Sequence, residues 1–186
     1  RQMKSRYDPD RHHRRSIRLR GWDYAGSGVY FVTVCTYRRR CLFGNVVDGE
    51  MRLNPVGRLV DGIWRHNLTK RADVSLDAVQ VMPNHVHAVI VMAGADRVEM
   101  AATGQDGTIP PGSLGAVVGN LKTVCTRRVN KMRGTPGAPL WQRNYWERIV
   151  RDEEELARIR TYIVSNPGLW TEDRLHVSDR GERIVD

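Results

Sequence analysis

The apolar residues of the chain recur at two different spacings, and these spacings predict an order of strands and helices. Runs of β-branched and aromatic residues predict strands, whereas apolar positions three and four residues apart predict helices. In chain order these are a strand at 29–37, a helix at 55–70, strands at 74–82 and from His85 onward, a helix at 113–133, a strand at 140–150 and a helix from Asp152 to about Asn166.

The first six elements form a β-α-β-β-α-β string, which is typical of the ferredoxin-like α+β fold. Four antiparallel strands would be backed by two helices on one face, which leaves the other face for a site. The seventh element, the helix after Asp152, is an addition to that fold. Asn54, Ser113 and Asp152 precede the three helical patterns and are predicted to cap them.

The polar segments divide the chain into a central domain and two flanking segments. Residues 1–20 have no apolar period and are predicted to form a basic N-terminal arm, followed by the domain at 21–170. A stretch rich in Gly, Ala and Pro at 93–112 is predicted to be a loop insert, since loops of about twenty residues are uncommon in compact domains. Residues 171–186 form a charged C-terminal tail whose pattern predicts no role.

The net charge of +9 and the pI near 10 indicate a polyanionic partner. Residues 1–40 contain eleven Lys and Arg against three Asp, and the helix at 113–133 has no acidic residue. Solvated helix faces usually mix both signs, so this helix is predicted to face phosphates. The candidate DNA contacts are Arg14, Arg15, Arg18, Arg20, Arg38, Arg39, Arg40, Lys122, Arg127, Arg128 and Lys131.

Neither a membrane segment nor a disulfide framework is predicted. No apolar run approaches the roughly 20 residues that cross a bilayer, and no signal-peptide core is present. The three cysteines, Cys35, Cys41 and Cys125, form no C-x-x-C pair and suit a reducing cytoplasm. We therefore expect a cytoplasmic protein.

Two histidines in the strand that follows Pro83-Asn84 form the first candidate site. Side chains alternate faces along a strand at about 3.3 Å per residue, so His85 and His87 lie on one face, roughly 6.6 Å apart along it. Two imidazoles placed in this way can converge on one divalent cation. The alternative is a pair of core histidines satisfied by hydrogen bonds.

A tyrosine and an amide on the last helix form the second candidate site. Tyr162 and Asn166 are four residues apart and therefore share a helix face. Tyr162 could act as a nucleophile and the amide oxygen of Asn166 as a third metal ligand. A cation would assist by polarising the oxygens of a phosphodiester. Tyr162 could instead be a core-edge aromatic, and Tyr145 is a rival nucleophile with no amide at helical reach.

Several segments in order resemble the REP-associated tyrosine transposases, which belong to the single-tyrosine HUH (IS200-like) transposase family. These are His85-Val86-His87 after Met-Pro-Asn, Trp141-Gln142-Arg143, Arg151-Asp-Glu-Glu-Glu155 and Tyr162-Ile-Val-Ser-Asn166-Pro167. The resemblance covers most of residues 15–170; the insert at 93–112 departs from it.

This resemblance implies a ferredoxin-like (Rep-type) domain with Mg²⁺ or Mn²⁺ as the cofactor. His85 and His87 match the metal motif, Tyr162 matches the nucleophile that forms a 5′-phosphotyrosine, and Asn166 matches a Gln or Asn ligand. The implied substrate is single-stranded DNA folded as hairpins from palindromic repeats, bound by a monomer or a homodimer.

Two other functions remain open. A non-catalytic module could bind single-stranded nucleic acid on the same fold through aromatic side chains of the open sheet face. A histidine-motif nucleotide hydrolase or transferase would need a third alternating histidine, and Val89 stands at that position.

Overall fold

The computed structural model describes residues 26–68, 72–93 and 112–176. The predicted arm at 1–20, with Arg14, Arg15, Arg18 and Arg20, and most of the insert at 93–112 lie outside these residues. The strands are β1 (Gly28–Cys35), β2 (Gly44–Val47), β3 (Glu50–Leu53), β4 (Val74–Val81), β5 (His85–Met92) and β6 (Trp146–Val150). The helices are α1 (Pro55–Asn67), α2 (Leu114–Arg133) and α3 (Glu153–Ser165).

Four of the strands form one antiparallel sheet in the order β4-β5-β1-β6. The first strand of the fold thus lies between the third and the fourth, and α1 and α2 make the two crossovers. This is the ferredoxin-like arrangement, so the predicted α+β fold is confirmed. The predicted close pairing of 74–82 with the histidine strand is confirmed as well, because β4 and β5 are antiparallel neighbours joined by Met82-Pro83-Asn84.

The two faces of the sheet carry two separate cores. Alternate residues of β1 such as Tyr30 and Val32 join α1 and α2 in the larger core. The intervening Phe31 packs with Val89 of β5 and with the apolar face of α3 in a smaller one. Because His85 and His87 alternate in phase with Val89, both histidines lie on the α3 face of the sheet.

The three predicted N-caps are confirmed. The side-chain oxygens of Asn54, Ser113 and Asp152 accept hydrogen bonds from backbone amides three residues further on, at 2.9, 3.3 and 2.7 Å. α3 ends at Ser165 as expected before Pro167. In the ranges that the structure covers, no helix has both the length and the apolar composition required to span a membrane.

A small hairpin between β1 and α1 was not predicted. β2 and β3 pair with each other and are joined by Asp48 and Gly49, whose φ angles are +54° and +75°. Two consecutive positive φ angles define the tight turn that Asp-Gly sequences favour. The hairpin lies outside the four-stranded sheet.

The predicted strand at 140–150 is wrong in its first half. Its pairing with β1 ends where Trp146 faces Thr33, and Trp141 makes only an isolated bridge to Thr36. Between these points the carbonyls of Gln142 and Arg143 accept hydrogen bonds from the Lys122 ammonium, at 2.7 and 3.0 Å. The Lys122 side chain thus holds this segment to α2, while the Gln142 amide still donates to the carbonyl of Cys35 at 2.9 Å.

Candidate metal and tyrosine site

His85 and His87 meet at their Nε2 atoms. β5 is paired on both sides, by β4 and β1, so its backbone is held along its whole length. Both side chains are buried, and the two Nε2 atoms are 3.0 Å apart. The structure therefore brings the two imidazoles together as the alternation along the strand predicted.

The hydrogen bonds of Asn84 determine which nitrogen of His85 carries the proton. The Asn84 amide nitrogen donates to the carbonyls of Arg39, at 3.2 Å, and Leu175, at 2.7 Å. The Asn84 oxygen is thereby left to accept from His85 Nδ1, at 2.8 Å. With its proton on Nδ1, neutral His85 presents an unprotonated Nε2 to the site.

His87 is held from the other side by Thr33, whose hydroxyl is 2.9 Å from His87 Nδ1. A hydroxyl can donate or accept, so Thr33 accommodates either neutral form of the ring. Burial lowers the pKa of His87 to about 3. Burial, and after it the neighbouring His87 and Arg39, lower the pKa of His85 well below its usual range. Both rings are therefore neutral at physiological pH, which is the form that binds metals.

Two oxygen atoms near this pair are buried without a hydrogen-bond partner among the described residues. One is Asp173 Oδ2, which is 3.9 Å from His85 Nε2; the other is Asn166 Oδ1. Asp173 Oδ1, by contrast, accepts from the Leu175 amide at 2.7 Å. Unpaired buried acceptors are rare in folded proteins, and these two oxygens belong to residues that line the cavity of the histidine pair, where they are available to a cation.

The donor set fits a divalent cation. Ligand atoms of His85, His87 and Asp173 all lie within 4.8 Å of one another. Two nitrogens at right angles around an octahedral ion, with bonds of about 2.1 Å, stand about 3.0 Å apart. That separation agrees with the 3.0 Å between the two Nε2 atoms. Imidazole nitrogens suit Zn²⁺, Cu²⁺, Fe²⁺ and Ni²⁺, and carboxylate oxygens suit Mg²⁺, Ca²⁺ and Mn²⁺, so this mixed set fits a divalent cation without selecting one.

Tyr162 brings its hydroxyl to the histidine pair from α3. The hydroxyl is 3.5 Å from His87 Nε2, and 41% of the residue is exposed. Burial, together with the Asp173 carboxylate, raises the pKa of Tyr162 above its ordinary value, against a lowering by the Asn166 side chain. The phenol is therefore protonated at neutral pH and needs activation to act as a nucleophile.

Tyr145, the rival nucleophile, lines the same cavity but packs against the larger core. Phe31 and His87, by contrast, both hold the Tyr162 ring edge-on, with centroids 6.0 and 5.3 Å away. The geometry thus favours Tyr162 over Tyr145 as the candidate nucleophile.

The site opens into a cavity of about 1010 Å³ between the sheet and α3. The cavity is lined by four arginines, Arg39, Arg148, Arg158 and Arg174, and by three acidic residues, Glu155, Glu172 and Asp173. Arg148 pairs with Glu155, and Arg158 pairs with Glu154. Arg39 follows β1 in a turn where both it and Arg38 have positive φ, at +54° and +56°. Non-glycine residues rarely adopt this backbone, and such strain concentrates at functional sites.

The predicted DNA-contact residues are distributed between two places. Arg39 lines the site cavity, and Arg38 and Arg40 are exposed beside it. Arg127 and Lys131 line a second cleft of about 780 Å³, between α2 and the segment 134–143, and Arg128 is exposed nearby. Gln142 lines both cavities. Lys122 is half-buried, and its ammonium is engaged by the two carbonyls of the 140–145 segment.

Sequence reasoning missed three residues of the site: Thr33, Asn84 and Asp173. Thr33 alternates in phase with Phe31 on a predicted strand, so the pattern could have found it. Asp173 follows a 3-10 turn, Asn166–Glu172, that carries the chain back to the histidines. That return depends on tertiary packing, including buried Trp170, whose ring centroid is 6.0 Å from that of His85.

Comparisons with known proteins show similarity both to solved structures and to a protein sequence. Among solved structures, a REP-associated tyrosine transposase bound to a REP hairpin is 17% identical, with a TM-score of 0.47, covering 82% of this chain and 73% of that one. A Deinococcus radiodurans protein of provisional transposase assignment is 21% identical, with a TM-score of 0.44, covering 79% and 95%. No protein-family model matches the chain.

The relative in sequence is a Haemophilus influenzae protein described as uncharacterized. It is 35% identical over 183 residues, which cover 94% of this chain and 99% of the relative. Identity at this level over nearly the whole of both chains shows common descent, and the chain therefore belongs to the same family as this Haemophilus influenzae protein.

Proposed function

We propose that the protein is a metal-dependent transposase that cleaves and rejoins single-stranded DNA through a 5′-phosphotyrosine intermediate. The observation that carries this proposal is the position of the Tyr162 hydroxyl, 3.5 Å from one of two buried, neutral imidazoles that face each other. The substrate we propose is a hairpin formed by a palindromic repeat. This agrees with the resemblance of the histidine and tyrosine motifs to those of the REP-associated tyrosine transposases.

In the proposed reaction the Tyr162 oxygen attacks the scissile phosphorus. A bond forms between that oxygen and phosphorus, and the bond from phosphorus to the 3′ oxygen breaks. The phenol loses its proton and the departing 3′ oxygen takes one up, so that atoms and charge balance. A second 3′-hydroxyl reverses these steps on the tyrosine ester, which conserves the bond energy and allows rejoining without ATP.

His85 and His87 would hold the cation, with oxygen from Asn166 or Asp173. When bound, the cation would polarise the phosphate oxygens and neutralise charge that develops on them. The chain's own residues would supply orientation: Asn84 and Thr33 fix the two rings, and Phe31 holds the tyrosine ring edge-on. Arg39 and Arg174 of the cavity would bind neighbouring phosphates, whereas Arg148 and Arg158 are paired with Glu155 and Glu154.

A covalent adduct is the direct test of this proposal. Labelled single-stranded hairpin DNA is incubated with the protein and Mn²⁺, and products are separated under denaturing conditions. We expect a protein-linked DNA band for the wild type and none for Tyr162→Phe, which lacks the attacking oxygen. Tyr145→Phe, which removes a hydroxyl from the same cavity, is the matched control and should keep the band.

The opposite results would contradict the proposal. A band that survives in Tyr162→Phe and disappears in Tyr145→Phe would assign the nucleophile to Tyr145, in the segment before β6, rather than to Tyr162 of α3. Hairpin binding without any adduct in the presence of Mn²⁺ or Mg²⁺ would favour the non-catalytic binding module.

A further inference from the structure

An exposed tryptophan lies beside the proposed catalytic tyrosine. Trp146 is 42% exposed, whereas the other tryptophans of the described residues, Trp64, Trp141 and Trp170, are buried. Exposing a large aromatic ring to water is unfavourable, and a cavity that also contains several arginines is an unusual place to do so. The position calls for a ligand that combines a flat apolar surface with negative charge.

The strand register places Trp146 in line with the site. Trp146 faces Thr33 across β6 and β1, and Thr33 faces His87 across β1 and β5. Directly paired residues project from the same face of a sheet, so all three side chains point towards α3. Two strand spacings, roughly 10 Å, separate the backbone at Trp146 from that at His87.

The tryptophan ring packs against a buried phenylalanine. The ring of Phe31 meets it at an interplanar angle of 75°, with centroids 5.5 Å apart. Phe31 is itself buried and also contacts the rings of His87 and Tyr162, at 5.3 and 6.0 Å. One buried phenylalanine therefore fixes the metal-site histidine, the proposed nucleophile and the exposed tryptophan relative to one another.

From this arrangement we propose that Trp146 is the platform on which a nucleobase next to the scissile phosphate stacks. The proposal rests on the proposed function, since it places the phosphate at Tyr162. Aromatic faces bind bases of single strands with little sequence preference. Arg39 and Arg174 line the same cavity and stand where adjoining phosphates would pass, whereas Arg148, two residues further along β6, is paired with Glu155. Trp146 would thereby select unpaired DNA, because a base within a duplex cannot present its face.

Binding measured without cleavage tests this proposal. The full chain is titrated, in buffer containing a chelator, into fluorescein-labelled oligothymidylate and into an oligomer of equal length and charge made of abasic residues. We expect Trp146→Ala to weaken oligothymidylate binding by about 5- to 150-fold and to leave binding of the abasic oligomer unchanged. Trp146→Phe, which keeps an aromatic face, should retain most of the affinity.

Leu169→Ala is the matched control, since Leu169 is 46% exposed in the same cavity but has no aromatic face. This substitution should change the affinity for oligothymidylate only slightly. The proposal is overturned if Trp146→Ala binds oligothymidylate like the wild type, weakens both oligomers equally, or changes only the oligomeric state in sedimentation, which would assign Trp146 to a protein interface.

These outcomes are separate from those of the cleavage assay. If Trp146→Ala loses affinity for oligothymidylate but not for the abasic oligomer, and no tyrosine adduct forms, the stacking platform is supported and the transposase function is contradicted. If the adduct forms and Trp146→Ala binds both oligomers normally, the function stands and the platform fails.

Discussion

Asn84 connects three separate parts of the chain around the histidine pair. Its buried amide binds the ring of His85, the carbonyl of Arg39 in the turn after β1, and the carbonyl of Leu175. The same side chain thus orients one imidazole and fastens the segment that carries Asp173. A residue adjacent to the two histidines in sequence can in this way support the proposed metal site without being a ligand itself.

We predict that Asn84→Ala lowers the affinity for Mn²⁺ by about 10- to 100-fold, the range typical when a partner of a metal-binding histidine is removed. The reason is that His85 Nδ1 loses the acceptor that keeps its proton there. The measurement is calorimetric titration of the metal-free protein with Mn²⁺. Asn120→Ala, at an exposed position of α2, is the control; equal affinities for the two variants would refute the role of Asn84.

At the scale of elements, the small hairpin and α1 meet at a point with no room for a side chain. Gly57 lies in the first turn of α1, and a Cβ there would overlap the carbonyl oxygen of Phe43 and come within 2.9 Å of the Leu53 side chain. A methyl group at Gly62 of the same helix would meet nothing within 4 Å. The two glycines therefore separate the effect of packing from that of helix propensity.

Gly57→Ala is expected to reduce the free energy of unfolding by about 1–3 kcal/mol through overpacking. Gly62→Ala should instead raise it by about 0.5–1 kcal/mol, because Ala is the better helix former. Urea unfolding followed by circular dichroism measures both. Stabilisation by both substitutions would show that the hairpin does not pack against α1 as described.

Local signals account for the elements that sequence analysis predicted, and tertiary contacts account for those it missed. Two kinds of feature depend only on neighbours in sequence and could therefore be predicted: the alternation of faces in β5, and the helix caps at Asn54, Ser113 and Asp152. The hairpin at Asp48-Gly49 had a turn signal, but its four-residue strands are too short to show a period. The course of the segment before Trp146 depends on Lys122, which is about twenty residues away in sequence. The position of Asp173 beside the histidines depends on the packing of Trp170 against His85, which is distant in sequence.

At the scale of the whole molecule, the charge is unevenly placed. Residues 1–40 alone have a net charge of +8 out of the +9 of the chain. In the part of the chain that the structure describes, further basic side chains line the site cavity and the cleft beside α2. Gln142 lines both of these cavities. Neutralising phosphates releases condensed counterions, so the affinity of such a protein for DNA should fall steeply with salt.

Replacing Arg14, Arg15, Arg18 and Arg20 together by Gln should make this salt dependence less steep. For single strands the slope of log K against log salt is about −0.7 for each phosphate neutralised, so losing four contacts would flatten it by about 3. Anisotropy titrations over a range of salt concentrations measure the slope. Arg58→Gln with Arg65→Gln, on α1 across the sheet from the site, is the control, and an unchanged slope in the fourfold variant would exclude the arm from binding.

The most direct test of the account locates the covalent bond itself. After reaction with hairpin DNA and Mn²⁺, the adduct is digested with nuclease and trypsin and its peptides are analysed by mass spectrometry. Cleavage after Arg160 and Arg174 isolates Tyr162, and cleavage after Arg143 and Arg148 isolates Tyr145. The account predicts a nucleotide-linked tyrosine in peptide 161–174; a nucleotide on peptide 144–148, or on no tyrosine at all, would contradict it.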